Sequence, residues 1–310
     1  MTRRSRATAA TTLFALAMTA APFVLSTYWV DVLDSVGIYA LLALSLNLIL
    51  GEAGLYDMGH AAFFAVGAYT TAILSTRLGV PVLLTLPAAA LAAGLFAALV
   101  ALPVLRLRGD YLLIVTVGLG EIVRIALVND VGGLTGGANG LFGIPRPLVL
   151  GLKLRTPEQL LPLIWGSVGL TVLVFRRLSA SRFGRQLRAV REDEVAAEGS
   201  GVATARARLT VFVLGSAWAG MAGTLFAAKM TVVSPESFGF WESVLVFTMV
   251  LLGGAGSIPG VLAGAFLVAG LPELFRGFAS ARMLVFGLAL MVMMVVRPGG
   301  LWPRRAGSAA

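Results

Sequence analysis

The sequence predicts an all-α polytopic membrane protein of about ten transmembrane or re-entrant helices, and three observations carry that prediction. Hydrophobic residues make up 58% of the 310 positions and charged residues only 13%, too little polar surface for a soluble globular domain. The apolar residues fall in successive runs, several near the ~20 residues that cross a bilayer. The polar residues gather in islands between the runs. The largest, 176–208, holds eight arginines (176, 177, 182, 185, 188, 191, 206, 208) and no lysine, which assigns it to the cytoplasm, where basic loops are retained. The net charge of +9 is then a topology signal, and a nucleic-acid partner is not expected. With no cysteine and His60 as the single histidine, thiol chemistry, disulfides and histidine metal clusters are excluded, and no metal or cofactor is expected.

Taken in order, Arg3, Arg4 and Arg6 precede an apolar run over 7–25. That start imitates a secretory signal, but its basic end agrees with every later inner loop, so it reads as a first transmembrane helix. The run 36–50 is short and meets Gly51-Glu52-Ala53-Gly54-Leu55-Tyr56-Asp57-Met58-Gly59-His60 before a second run, 61–76. As one helix these would measure roughly 60 Å, about twice the hydrocarbon thickness, so the chain must double back. Span 81–104 follows, with Arg106 and Arg108 on the inner side. The next span, to Val128, carries Glu121 and Arg124, three apart and so paired on one helix face; the pair serves either a functional path or a lock between helices.

Residues 129–158 form the outer loop, rich in glycine but lacking the Gly-Lys-Ser/Thr of a phosphate-binding loop. Span 160–175 returns to the island, and 209–228 leaves it with a small-residue face of Ala217, Gly220, Gly223 and Ala227. A loop over 229–241 precedes a ten-residue run, 243–252, a second glycine break (Gly253, Gly254, Gly256, Gly260), a run to Phe275, and a last span over 283–296. Counting each break as a turn gives ten spans with both termini cytoplasmic, and inner segments then hold sixteen basic residues against seven outside. The whole chain, 1–310, is one transmembrane domain.

Two regions are candidates for function. Within the island, 181–198 reads as one amphipathic helix with Phe183, Leu187, Val190 and Glu194 on a shared face, resting on the lipid bilayer or docking a cytosolic partner; the acidic cluster Glu192, Asp193, Glu194 favours a protein. The glycine breaks interrupt apolar runs after arms of 15 and 10 residues, as broken helices do where they line a solute path, or else they are plain surface turns with a solvated histidine. Candidate path and hinge residues are Gly54, Asp57, Gly59, His60, Gly253, Gly254 and Gly256. Intramembrane charge is scarce, which disfavours an ion-coupled carrier and favours energy delivered from outside through the island.

The stretches GLYDMGHAAFFAVGAYTTAIL (54–74), LRLRGDYLLIVTVGLGEIVR (105–124), LTGGANGLFGIPRP (134–147), FGRQLRAVREDEVAAEGSGV (183–202), SPESFGF (234–240) and LLGGAGSIPGVLAGAFL (251–267) resemble the branched-chain amino acid ABC transporter permeases of the LivM type, from about residue 36 to 300. That resemblance implies the permease fold of a bacterial inner-membrane importer without an ATPase site of its own. It implies partnership with a second, LivH-like permease, two cytosolic ATPase subunits and a periplasmic solute-binding protein. Arg191, Glu192, Asp193, Glu194, Ala196, Ala197, Glu198 and Gly201 then match the segment that contacts an ATPase subunit, with Gly199 and Ser200 where relatives usually carry alanine and a bulky apolar residue. Thr135, Gly136, Gly137 and Asn139 would face the binding protein. Relatives of this architecture carry urea, short amides and other small polar solutes, and an uncoupled channel-like or structural subunit is the reading from another class.

Overall fold

A computed structural model describes residues 25–105, 110–149 and 151–274, with 287, 291, 295, 297 and 299–302 beyond them. The predicted first span, nearly all of the last span, and Arg106, Arg108, Arg304 and Arg305 lie outside the described residues. Among those described, six helical segments are long and apolar enough to cross a membrane: Thr27–Glu52, Val82–Ala101, Tyr111–Val128, Pro157–Ala180, Thr204–Met230 and Pro235–Gly253.

Helix α1 (Thr27–Asn47) continues through a wider π turn, Leu48–Glu52. The first arm is therefore 26 residues long and not the 15 read from the sequence. Asp31 and Asp34, which precede the apolar run 36–50, lie inside the helix, and Lys229 meets Asp31 through its carboxylate at 3.2 Å and its carbonyl at 2.7 Å. Likewise the ten-residue arm before the second break belongs to a 19-residue segment, because the turn Pro235–Phe238 runs into the helix Phe240–Gly253.

Helix α2 (His60–Arg77) and helix α3 (Leu86–Val104) follow, α3 entered through the 3-10 turn Val82–Thr85. Along α3 the sequence alternates bulk by face. Leu91, Leu95 and Leu99 stay exposed, as lipid contact requires, while Ala89, Ala93, Ala97 and Ala101 are buried. Helix α4 (Asp110–Val128) is the least enclosed of the six long segments. Helix α5 (Pro157–Ala180) leads into two short helices, α6 (Arg182–Glu192) and α7 (Glu194–Gly199), then α8 (Thr204–Met230), α9 (Phe240–Gly253), α10 (Ile258–Ala265), a π turn Phe266–Gly270, and α11 (Leu271–Leu274).

Helix α8 packs through its small-residue face as the sequence predicted. A Cβ on Gly220 would sit 2.6 Å from the Ala93 methyl and 2.7 Å from the Ala89 carbonyl, and Gly67 of α2 meets the Gly220 backbone. Three helices thus approach at backbone distance, which only glycine and alanine permit. The connections 129–156 and 231–239 carry the described strands: β1 (Leu141–Phe142) pairs antiparallel with β4 (Val232–Val233), and β2 (Leu148–Val149) with β3 (Leu152–Lys153). The loops 129–156 and 231–239 are thereby joined at one end of the bundle, opposite the arginine-rich helices.

Candidate functional site

The first break is a buried polar turn. After the π turn the chain reverses at Gly54, whose φ of +70° is open to glycine, and returns as a non-helical segment to His60. The Asp57 carboxylate accepts from the Gly59 amide at 3.0 Å and lies 2.9 Å from His60 Nδ1; His60 Nε2 lies 2.8 Å from Ser45 Oγ, which donates to the Leu42 carbonyl at 2.7 Å. Asp57, His60 and Ser45 are all fully buried, so the reading of a solvated histidine on a surface turn is corrected. The Met58 amide donates to Thr116 Oγ1 on α4 at 3.0 Å, and Gly59 lies flat against the Thr116 carbonyl. Backbone groups freed by the break are satisfied inside the protein, as a non-helical segment within a membrane demands.

Depth follows from α1. Ser45 stands seven residues before Glu52, about 10 Å at the helical rise, so α2 starts well inside the bundle and not at its end. Helix α9 starts at the same depth, since the Ala61 amide donates to Ser243 Oγ at 3.1 Å. From that junction α2 runs toward the loop 129–156, where Arg77 reaches the Gly133 carbonyl, and α9 runs the other way. Phe238, just ahead of α9, packs on Phe64 and Tyr69 of α2, while Tyr56, ahead of α2, packs on Phe247 of α9. Two helices therefore meet N-terminus to N-terminus within the bundle.

The second break differs from the first. Gly253 and Gly260 touch backbone to backbone, and Gly254 (φ +107°) and Gly256 (φ +90°) close a tight turn between α9 and α10. Its Gly256 amide donates to Asn47 Oδ1 at 2.7 Å, and a Cβ on Gly51 would lie 2.5 Å from that same nitrogen. Leu301 and Trp302 amides donate to Leu252 and Gly253 carbonyls at 2.8 and 3.1 Å. The two breaks, read separately in the sequence, are in contact.

The arginine island grips the first break. Arg191 donates to the Gly51 carbonyl, and its aliphatic stem covers Gly54. Arg188 pairs with Glu52 at 3.3 Å and donates to the Ser179 carbonyl at 2.8 Å, while Ser179 Oγ donates to Glu52. The predicted single helix over 181–198 is two helices, because Asp193 adopts an extended backbone and caps α7, accepting from the Val195 and Ala196 amides at 2.9 and 3.0 Å. Glu194 pairs with Arg208 at 3.0 Å and Glu198 accepts from Thr204, so both turn back onto α8. Ala197 is buried, while Glu192, Asp193, Val195, Ala196 and Gly201 remain exposed.

At the opposite end, Asp130 Oδ1 accepts from the Thr135 amide at 2.7 Å, the Thr135 hydroxyl at 3.0 Å and the Gly136 amide at 3.0 Å. These bonds hold the Asp130 carboxyl below its ordinary range. Thr135 is buried in that turn; Gly136 and Asn139 are exposed and Gly137 half-buried. The predicted Glu121–Arg124 pair is present, with Nε to Oε1 at 2.9 Å, and Arg124 also approaches Glu236 at 3.7 Å, tying α4 to the turn before α9.

Sequence reasoning passed over Ser45, Asn47, Thr116 and Ser243. The available signal was a lone polar side chain inside an apolar run, which is expensive in a membrane unless it has a partner.

Comparison with known proteins agrees along the chain. The family model described as branched-chain amino acid transport system / permease component matches residues 28–296. The chain is 41% identical over 307 residues to the high-affinity branched-chain amino acid transport system permease protein LivM of Escherichia coli (strain K12), covering 91% of this chain and 72% of that one. It is 26% identical over 285 residues to the corresponding LivH of Salmonella typhimurium, covering 84% and 90%. A probable LivM of Methanocaldococcus jannaschii is 24% identical over 320 residues, covering 87% and 91%. No solved structure matches. With helices of membrane-crossing length throughout and a family match across nearly all of them, the chain belongs to the permease components of branched-chain amino acid transport systems.

Proposed function

We propose that this chain is a transmembrane permease subunit of a binding-protein-dependent importer of branched-chain amino acids in a bacterial inner membrane, driven by ATP hydrolysis in separate cytosolic subunits. The island then faces the cytoplasm, both termini lie there, and a LivH-like permease completes the pathway. The observation that carries the reading is the grip of Arg188 and Arg191 on Glu52 and Gly51. The exposed side of α6 and α7, around Glu192, Val195 and Ala196, is the surface for an ATPase subunit. Movement of that subunit displaces α6, α6 draws on the end of α1, and Gly51 carries the shift to Gly256 and the start of α10. Glu194 and Glu198 also hold α7 onto α8, through Arg208 and Thr204. On the outer side, the loop around Gly136 and Asn139 receives the solute-binding protein, and its strand pairing with β4 links docking to the segment that leads into α9.

The test is reconstitution with the cognate second permease, ATPase pair and binding protein in proteoliposomes. ATP-dependent uptake of leucine is expected. An assembled complex that moves urea or acetamide but not leucine, or that leaks solute without ATP, would replace this reading.

A further inference from the structure

Tyr39 is the thirteenth of the 26 residues between Thr27 and Glu52, so it stands at the middle of the membrane-crossing length of α1. Its hydroxyl faces the carboxylate of Glu242, in the first turn of α9 and next to Ser243, where α9 meets α2. Glu242 is thus a carboxylate near the bilayer midplane. Among the described residues no basic side chain faces it; Tyr39 is the polar group that does. The other carboxylates of the site are answered within the protein: Asp57 by His60 and the Gly59 amide, Glu52 by Arg188 and Ser179. Glu242 and Tyr39 are also half-buried, whereas Asp57 and His60 are fully enclosed, so part of the pair lies on the surface of this chain.

An ionisable group at that depth is tolerated when it faces the interior of an assembly or a water-filled path, and not when it faces lipid. Its place in the first turn of α9 gives the carboxylate a favourable helix end, but that end carries only about half a charge. Burial works against the ionised carboxylate, and a positive charge brought beside it stabilises that form. We propose that Glu242, positioned by Tyr39, receives the ammonium group of the solute in transit, so that the site takes small zwitterions bearing a primary ammonium and passes over neutral amides. This rests on the reading of the chain as an amino-acid permease and adds to it the group that recognises the amino end.

Two measurements on the reconstituted complex test it, with the wild type run in parallel. First, Glu242→Gln should lower leucine uptake by at least about tenfold, as loss of one charge-assisted hydrogen bond implies, at unchanged yield of assembled complex. Second, the chain lacks cysteine, so Tyr39→Cys reports on that position alone. A methanethiosulfonate carrying an ammonium should modify that cysteine at least about ten times faster than one carrying a sulfonate, the preference expected beside a carboxylate in a narrow low-dielectric path. Leucine with its binding protein should slow the reaction, and adding Glu242→Gln should erase the charge preference. Wild-type uptake by Glu242→Gln, or a cysteine that neither water-borne reagent reaches, overturns the proposal while leaving the importer reading intact. Failure of the wild-type complex to move leucine overturns the importer reading instead.

Discussion

The backbone amide of Gly256 donates to Asn47 Oδ1 at 2.7 Å, across 209 residues of sequence, and both groups are buried. Gly51, one turn along α1, lies flat against the same residue, and its carbonyl accepts from Arg191. One side chain and two glycines therefore join the end of α1, the α9–α10 turn and the arginine helices at a single point. A polar group inside a membrane protein is held there only if its partner is fixed, and here the partner is a backbone amide, which proline alone among the residues would remove.

Replacing Asn47 by Ala leaves the Gly256 amide buried and unanswered, at a cost of about 1–3 kcal/mol. The expected outcome is a lower melting temperature of the purified complex and reduced uptake, measured by thermal unfolding in detergent and transport in proteoliposomes. Asn47→Asp retains an acceptor and should lose less.

Gly220→Ala and Gly166→Ala are the same chemical change at two helix positions. At Gly220 the new methyl meets Ala93 at 2.6 Å, whereas at Gly166 it meets nothing within 4 Å. The first should destabilise by about 1–3 kcal/mol through overpacking, and the second should be neutral or slightly stabilising, since alanine favours the helix. Thermal melts of the two variants side by side check the difference.

Arg188 and Glu52 pair at 3.3 Å between α6 and the end of α1. Arg188→Glu sets two carboxylates together and should reduce solute-stimulated ATP hydrolysis without loss of membrane insertion. The exchange Glu52→Arg with Arg188→Glu should recover part of the activity, corresponding to an interaction energy of about 0.5–3 kcal/mol in a double-mutant cycle. Absence of any recovery would separate α6 from α1 in the transmission of force.

Ser200 and Asn139 are exposed at opposite ends of the bundle. Single cysteines there should react with an impermeant maleimide from opposite sides of the membrane, Ser200→Cys from the cytoplasm and Asn139→Cys from the periplasm. Labelling from one side would overturn the orientation derived from the arginines.

What the sequence determined by itself was set by local physics. Apolar runs marked where helices lie though not their full length, arginine asymmetry gave the side expected for the island, the three-residue spacing of Glu121 and Arg124 placed them on one face, and the glycines and alanines around Gly220 marked a close helix approach. Each depends on neighbours within a few residues. The tertiary structure decided what depends on partners far along the chain. Asp31 lies within α1 and is paired by Lys229, 198 residues away. Glu194 turns inward because Arg208 is across from it, and the two glycine breaks touch because α1 and α9 end side by side. A sequence shows that a glycine lacks a side chain, but only packing determines which backbone fills the space it leaves.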